Sequence, residues 1–182
     1  MKFEGNVALL QQKMANSSAE VARRLAVMNA LNLQTGNTVL DVGCGAGHLI
    51  REIGLAVGHS GQAFGLDPSE AQIKAAKRHC EALGNTQFFC CLADQVDLLD
   101  ASCDAIASIQ TLDYIKDVGA TLDQVVRLLK PKSSFVNVSV LWDHFKFHGA
   151  DEKLNDLIHD AWKAHCHHQM LPLELSGRLA KR

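Results

Sequence analysis

The 182-residue chain contains no uninterrupted apolar run approaching the ~18 residues that a membrane-spanning helix needs. Its start, MKFEGNVALLQQKMANSS, lacks a continuous apolar h-region, so a secretory signal is not indicated. Strong charge of either sign is also missing: the formal net charge is −2 and the pI is near 6.5. That leaves no electrostatic case for nucleic acid or an anionic membrane surface. None of the six cysteines stands in a C-x-x-C spacing, and reduced thiols in a cytoplasmic protein are the simpler reading. What remains is an ordinary composition, 47% apolar and 21% charged. The length suits one domain with a core, and a second full domain is not expected.

Along the chain, short β-branched runs alternate with longer helical patterns. Ser17 and Glu20 form a capping box ahead of Val21, Leu25 and Met28 at helical spacing. Thr38–Val42 reads as a short apolar strand running into glycines, and His48–Val57 carries Leu49, Ile50, Ile53 and Val57 on one helical face. Gln62–Leu66 is strand-like and ends at Asp67 and Pro68. Ser69 and Gln72 then open a helix lined by Ile73, Ala76, Cys80 and Leu83 and closed by Gly84. Residues 86–91, 104–109 and 134–141 complete the strands, with an amphipathic helix over 117–129 stopped by Pro131. This alternation predicts a doubly wound, mostly parallel α/β sheet of Rossmann-like type, with helices on both faces.

After the fifth strand the texture changes. Trp142, Asp143, His144 and Phe145 lead into a helix over 151–167, with Leu154, Leu157, Ile158, Ala161, Trp162 and His165 along one face. A loop at Met170, Leu171 and Pro172 precedes a stretch, 173–182, that could start another helix. The expected organisation is one domain, 1–182: an N-terminal helical segment (1–34), a ligand-binding core (35–141) and a C-terminal helical segment (142–182).

In open α/β sheets ligands bind at the carboxyl ends of the strands, where strand order reverses. The loop after the first strand, Asp41-Val42-Gly43-Cys44-Gly45-Ala46-Gly47, is therefore the candidate site. Its glycines allow a sharp turn and close approach of a ligand. A dinucleotide loop wants G-x-G-x-x-G, and here His48 falls where the last glycine would stand. Asp41 discriminates further: a carboxylate two residues before the first glycine repels a pyrophosphate. It suits a ligand carrying an ammonium and a sulfonium, and S-adenosyl-L-methionine (SAM) carries both. Asp67, ~20 residues after Gly47 at the end of the second strand, is placed to accept ribose hydroxyls.

The series VLDVGCGAGHL, FGLDPS, CLADQVDLLDASCDAIAS and LLKPKSSFVNV resembles the motifs of class I SAM-dependent methyltransferases. It is similar in particular to the branch of ubiquinone and menaquinone biosynthesis enzymes and many small-molecule methyltransferases. The resemblance covers 17–141. It implies that Asp41, Gly43 and Gly45 hold the methionyl part of SAM, with Cys44 contributing backbone. Asp67 would bind the ribose, and Pro68 and Ser69 would flank the adenosine. Asp94, with Ala93 and Gln95, would meet the adenine edge, and 108–111, Ser108 and Gln110 included, would line the floor beside the transferred methyl. The implied activity is methyl transfer to a small-molecule acceptor.

Two departures qualify the resemblance. Where the family often has Glu-His, this chain has Gln110, Thr111, Asp113 and Tyr114. The family sheet also has two further strands, for which no residues remain. The fifth strand would then keep an open edge that invites self-association. A methyltransferase-like module that binds SAM without turnover is the alternative to an enzyme.

For a general base, Asp143 and His144 are the candidates, since the segment after the fifth strand faces the substrate. Arg23 and Arg24 read as a solvated helix face, with reach to the SAM carboxylate as the alternative. Six histidines between His144 and His168, with Cys166 among them, match no established zinc spacing, and no metal is expected.

Overall fold

The computed structural model of the protein describes residues 13–182. Five parallel strands form one sheet: β1 (Thr38–Val42), β2 (Gln62–Leu66), β3 (Thr86–Phe89), β4 (Cys103–Ile109) and β5 (Leu129–Val138). Their order is β3-β2-β1-β4-β5. The chain winds outward from β1 to β3 and then returns to β4 on the other side of β1. That reversal sets the loops after β1 and β4 side by side, where doubly wound sheets bind ligands.

Alternation along the strands divides the core between two faces. Val39, Ala105 and Ala107 pack with Val27 and Leu31 of α1 (Ser18–Leu31) and with Leu49, Ile50, Ile53 and Val57 of α2 (His48–Val57). Ile73 of α3 (Glu70–His79) joins this face. Leu40, Val42 and Ile106 turn the other way, toward Val118, Leu122, Val125 and Leu128 of α4 (Val118–Leu128). Leu171, at the start of α6 (Leu171–Leu179), completes that second core.

The helix starts follow their capping residues. The Ser17 hydroxyl accepts from the Glu20 amide, and Ser69 accepts from the Gln72 amide. The return half of the first box is not made, because the Glu20 carboxylate pairs with Arg23 instead. Gly84 does not close α3, which ends at His79 with Cys80 as its cap.

Three other expectations need correction. The fifth strand begins at Leu129, opposite Cys103, and regular pairing resumes only at Ser134 opposite Ala105. The intervening residues form an irregular stretch in which Lys132 has φ 67°, and Pro131 sits at this free edge, where its missing N–H costs nothing. Leu171 and Pro172 are not loop: they open α6, with the proline in its first turn. Finally, α5 (Glu152–His165) buries no residue of its expected apolar face. Leu154 and Leu157 are 48% and 61% exposed, His165 is exposed, and only Ile158 and Trp162 are half-buried.

Ile106, fully buried on the central strand pair, anchors the α4 face. Ile106→Ala should cost about 2–5 kcal/mol of unfolding free energy, measured by denaturant titration with an unchanged m-value.

Candidate functional site

The glycine loop is tied to both neighbouring strands. The Gly43 and Cys44 amides both donate to the Leu66 carbonyl, each at 2.9 Å, and the Gly47 amide closes a turn onto the Cys44 carbonyl. Gly43 and Gly47 take φ 81° and 80°, in the left-handed region that side chains disfavour. A Cβ at Gly43 would lie 2.1 Å from the Thr111 hydroxyl oxygen, and one at Gly47 2.9 Å from the Ala76 methyl. The turn and its close contacts both require glycine.

Two carboxylates sit at this loop. Asp41 is 3% exposed, and its partners across β2 and β4 are Gly65 and Ala107, two of the smallest residues. Burial pushes its carboxyl pKa up to about 7, with the charge of Asp67 adding to the effect. Asp67, half-buried, is likewise raised by burial, opposed by the amides that bond it. Its two oxygens accept from Ser69 N at 2.9 Å and Gly45 N at 3.1 Å. Among the described residues no cation pairs with either acid. Such a pair attracts a cationic group or hydroxyl donors and repels a pyrophosphate.

The other expected residues take varied positions. Cys44 is buried, its sulfur packed where a side chain on Gly65 would stand, and burial pushes its thiol pKa up. Pro68 is exposed and Ser69 caps α3. Ala93–Gln95 forms a short 3-10 turn beyond β3, with Ala93 buried and Asp94 and Gln95 exposed. Ser108 is fully buried and donates its hydroxyl to the Val42 carbonyl at 3.1 Å. Its hydroxyl is therefore taken up within the sheet. Gln110, at φ 49°, accepts from Arg23 at 2.9 Å.

Asp143 and His144 are exposed on the turn Trp142–His144. Neither side chain is hydrogen-bonded to another described residue.

A cavity of about 390 Å³ opens between the glycine loop, α1 and α3, lined among others by Glu20, Arg24, Gly43, Gly45, Gln72 and Arg78. Here the reading of Arg23 and Arg24 as a solvated face is corrected. Arg24, 9% exposed, is fixed by Glu52 at 2.8 Å and the Ala15 carbonyl at 2.7 Å. Spacing alone had assigned Gln72 only to a cap and gave no reason to single out Arg78, since the cavity wall depends on how α3 docks.

Residues 33–173 match the Methyltransferase domain family, and the chain belongs to it. It is 36% identical over 103 residues to a ubiquinone biosynthesis O-methyltransferase of Nitrobacter winogradskyi, covering 56% of this chain and 38% of that one. To a demethylmenaquinone methyltransferase of Staphylococcus saprophyticus it is 32% identical over 113 residues, covering 62% and 48%. The chain thus spans less than half the length of these curated relatives. The crystal structure of a SAM-dependent methyltransferase from Aquifex aeolicus shares the fold, with a TM-score of 0.66 at 21% identity over 76% of this chain and 75% of that one.

The raised Asp41 carboxyl has a consequence for stability. As pH rises from 3.8 to about 7, the unfolded chain releases this proton while the folded chain keeps it, so folded stability falls across that window. Asp41→Asn abolishes this loss. The variant should melt higher than the parent at pH 8, by a margin that shrinks at pH 4; an equal or lower melting temperature at pH 8 would contradict the buried charge.

Proposed function

We propose that this chain binds SAM and transfers its methyl group to a small-molecule acceptor. The observation that carries the reading is the buried Asp41 carboxylate beside Asp67, with no cation among the described residues to neutralise it. The residues present fit the cofactor: an ammonium would satisfy Asp41, and ribose hydroxyls the remaining lone pairs of Asp67. Bound SAM supplies an electrophilic methyl on a sulfonium, with a neutral sulfide as leaving group.

In this reading Asp41, Gly43, Cys44 and Gly45 hold the methionyl part and Asp67 the ribose. Pro68 and Ser69 flank the adenosine, and Ala93, Asp94 and Gln95 meet the adenine edge. Gln110 lines the floor that Ser108 supports. The chain's main contribution is alignment, since holding the nucleophile in line with the methyl supplies much of the rate. Asp143 and His144, exposed on the adjoining turn, are proposed as contacts at the rim of the acceptor site. The six cysteines are all free, which suits a reducing compartment and a cytoplasmic location. Among the described residues, no helix is long and apolar enough to cross a membrane. The outer edge of β5, where the sheet order ends, is proposed as the place where two copies pair.

Calorimetric titration tests the cofactor. SAM should bind and NAD should not; the reverse result would overturn the proposal. Because a cation at Asp41 requires the ionised carboxylate, affinity should rise from pH 6 to pH 8, with proton release visible as a buffer-dependent enthalpy. Asp41→Asn and Asp67→Ala should each weaken binding about tenfold or more, and unchanged affinity would remove those residues from the site.

A further inference from the structure

A group of cations that the cofactor reading leaves unused lines the cavity beside the glycine loop. Arg24 stands there on α1 and Arg78 on α3. A smaller cavity of about 240 Å³ adjoins it, sharing Ala46, His48 and Ala75 as walls and adding Asn16 and His79. One face of α3 lines both: Ala71, Gln72, Ala75 and Arg78 in the first, Ala75 and His79 in the second. The alanines leave space, and Arg78 and His79 stand in the last turn of the helix.

Charge in this region is not balanced. Glu20, the one carboxylate among the described residues on the first cavity's wall, is paired with Arg23. Glu52 takes the Arg24 Nε and the Ala15 carbonyl takes Nη1, which leaves Nη2 without a partner among the described residues. Arg51 and Arg78 are exposed, and neither makes an ion pair or side-chain hydrogen bond among the described residues. Between them the His48 and His79 rings meet, with centroids 4.4 Å apart. Burial and then the neighbouring cations hold both imidazoles below their ordinary pKa. His48 feels His79 and Arg24, and His79 feels Arg51 and Arg24, with Glu52 alone acting the other way. An oxyanion in this space would offset the arginines and favour the imidazolium form.

We propose that this end of the cavity holds an oxyanion of the methyl acceptor, a carboxylate or a phosphate, among Arg78, Arg24 and the His48–His79 pair. This rests on the methyl-transfer reading above. That reading keeps the cofactor's ammonium at Asp41, and its adenosine runs toward Ala93–Gln95, whose Ala93 belongs to the opposite core. Gln110, proposed for the floor beside the methyl, lines the same cavity as Arg78. A small molecule lying between them presents its nucleophile at one end while its anion is held at the other. The guanidinium fork of Arg78 suits two oxygens of either anion. Binding also takes up a proton from solvent, onto a ring nitrogen of the imidazole pair.

Calorimetry on the parent protein saturated with S-adenosylhomocysteine tests the site. Benzoate and phenyl phosphate are the charged probes, and benzyl alcohol is the neutral one. Both anions should bind about tenfold tighter than benzyl alcohol or more, and the tighter of the two tells carboxylate from phosphate. Benzoate stays ionised from pH 6 to pH 8, so its pH dependence reports the protein. Its affinity should fall as pH rises across that range, with a buffer-dependent enthalpy that measures proton uptake. His79→Gln should remove most of that uptake. Arg78→Gln should weaken benzoate about tenfold, and Arg78→Lys should regain affinity, as a charge contact requires and a packing role does not. Equal binding of benzyl alcohol, an affinity unchanged by Arg78→Gln, or no proton uptake would each overturn the proposal. So would competition between S-adenosylhomocysteine and benzoate, because the cations would then hold the cofactor's own carboxylate. If the parent does not bind S-adenosylhomocysteine, the cofactor reading itself fails. If it does and neither anion binds, only the oxyanion site is wrong.

Discussion

The structure is organised around a carboxylate buried in the middle of a sheet without a counter-charge. Desolvating an acid at such a position is unfavourable, and the surrounding residues show what it takes to keep it there. Asp41 stands on the central strand, with only Gly65 and Ala107 as its lateral partners. The space left at Gly65 receives the Cys44 sulfur and the Phe88 ring. A side chain at Gly65 would collide with the Cys44 side chain of the loop and with the Phe88 ring. The glycine loop is then drawn across the acid by the bonds of Gly43 and Cys44 to the end of β2. The second acid, Asp67, is fastened to the same loop through Gly45. The unfavourable charge is thus built into the central strand of the sheet, and strain is commonly held where the surrounding structure over-determines it.

That arrangement also fixes what the two faces of the sheet do. The α1–α2–α3 face carries the cavity beside the loop, and Arg24 is locked there by Glu52. On the other side, α4 and α6 complete an apolar core around Leu40, Ile106 and Leu171. The carboxyl ends of β4 and β5 are left to the C-terminal segment. There the Trp142 and Trp162 rings stack at 4.1 Å, and the backbone bonds of His168 and Gln169 tie the α5–α6 link to Asp113 and Trp142.

Most of the glycine-loop half of the fold was legible in the sequence because its signals are local. The bounds of β1, α2 and β2 coincide with the apolar runs that predict them, and Ser69 caps the helix it was expected to cap. The position of Asp41 two residues before the first glycine already carried the electrostatic argument. The C-terminal part was less legible for a physical reason. The helical period of α5 is real, yet period says only which residues share a face, not whether anything covers it. Among the described residues nothing covers Leu154 and Leu157. Asp113 and His168, joined by a backbone bond, are separated by the whole of α4, β5 and α5, and no spacing rule links residues that meet only when the α5–α6 link folds back.

This difference in locality bears on how such a domain can change its chemistry. The glycine-loop side depends on short-range geometry: two glycines whose φ values and contacts admit no side chain, and two acids at the loop, one of them bonded to it. Substitution there disturbs the loop and the sheet at once. The C-terminal side depends on a few long-range bonds between the β4 exit and the α5–α6 link, in a segment with little burial of its own. Elements with few buried contacts repack at low cost. The residues of this C-terminal segment can therefore be exchanged while the carboxylates at β1 and β2 stay in place. The buried charge that makes the fold costly to alter at its centre is what leaves its C-terminal side free to vary.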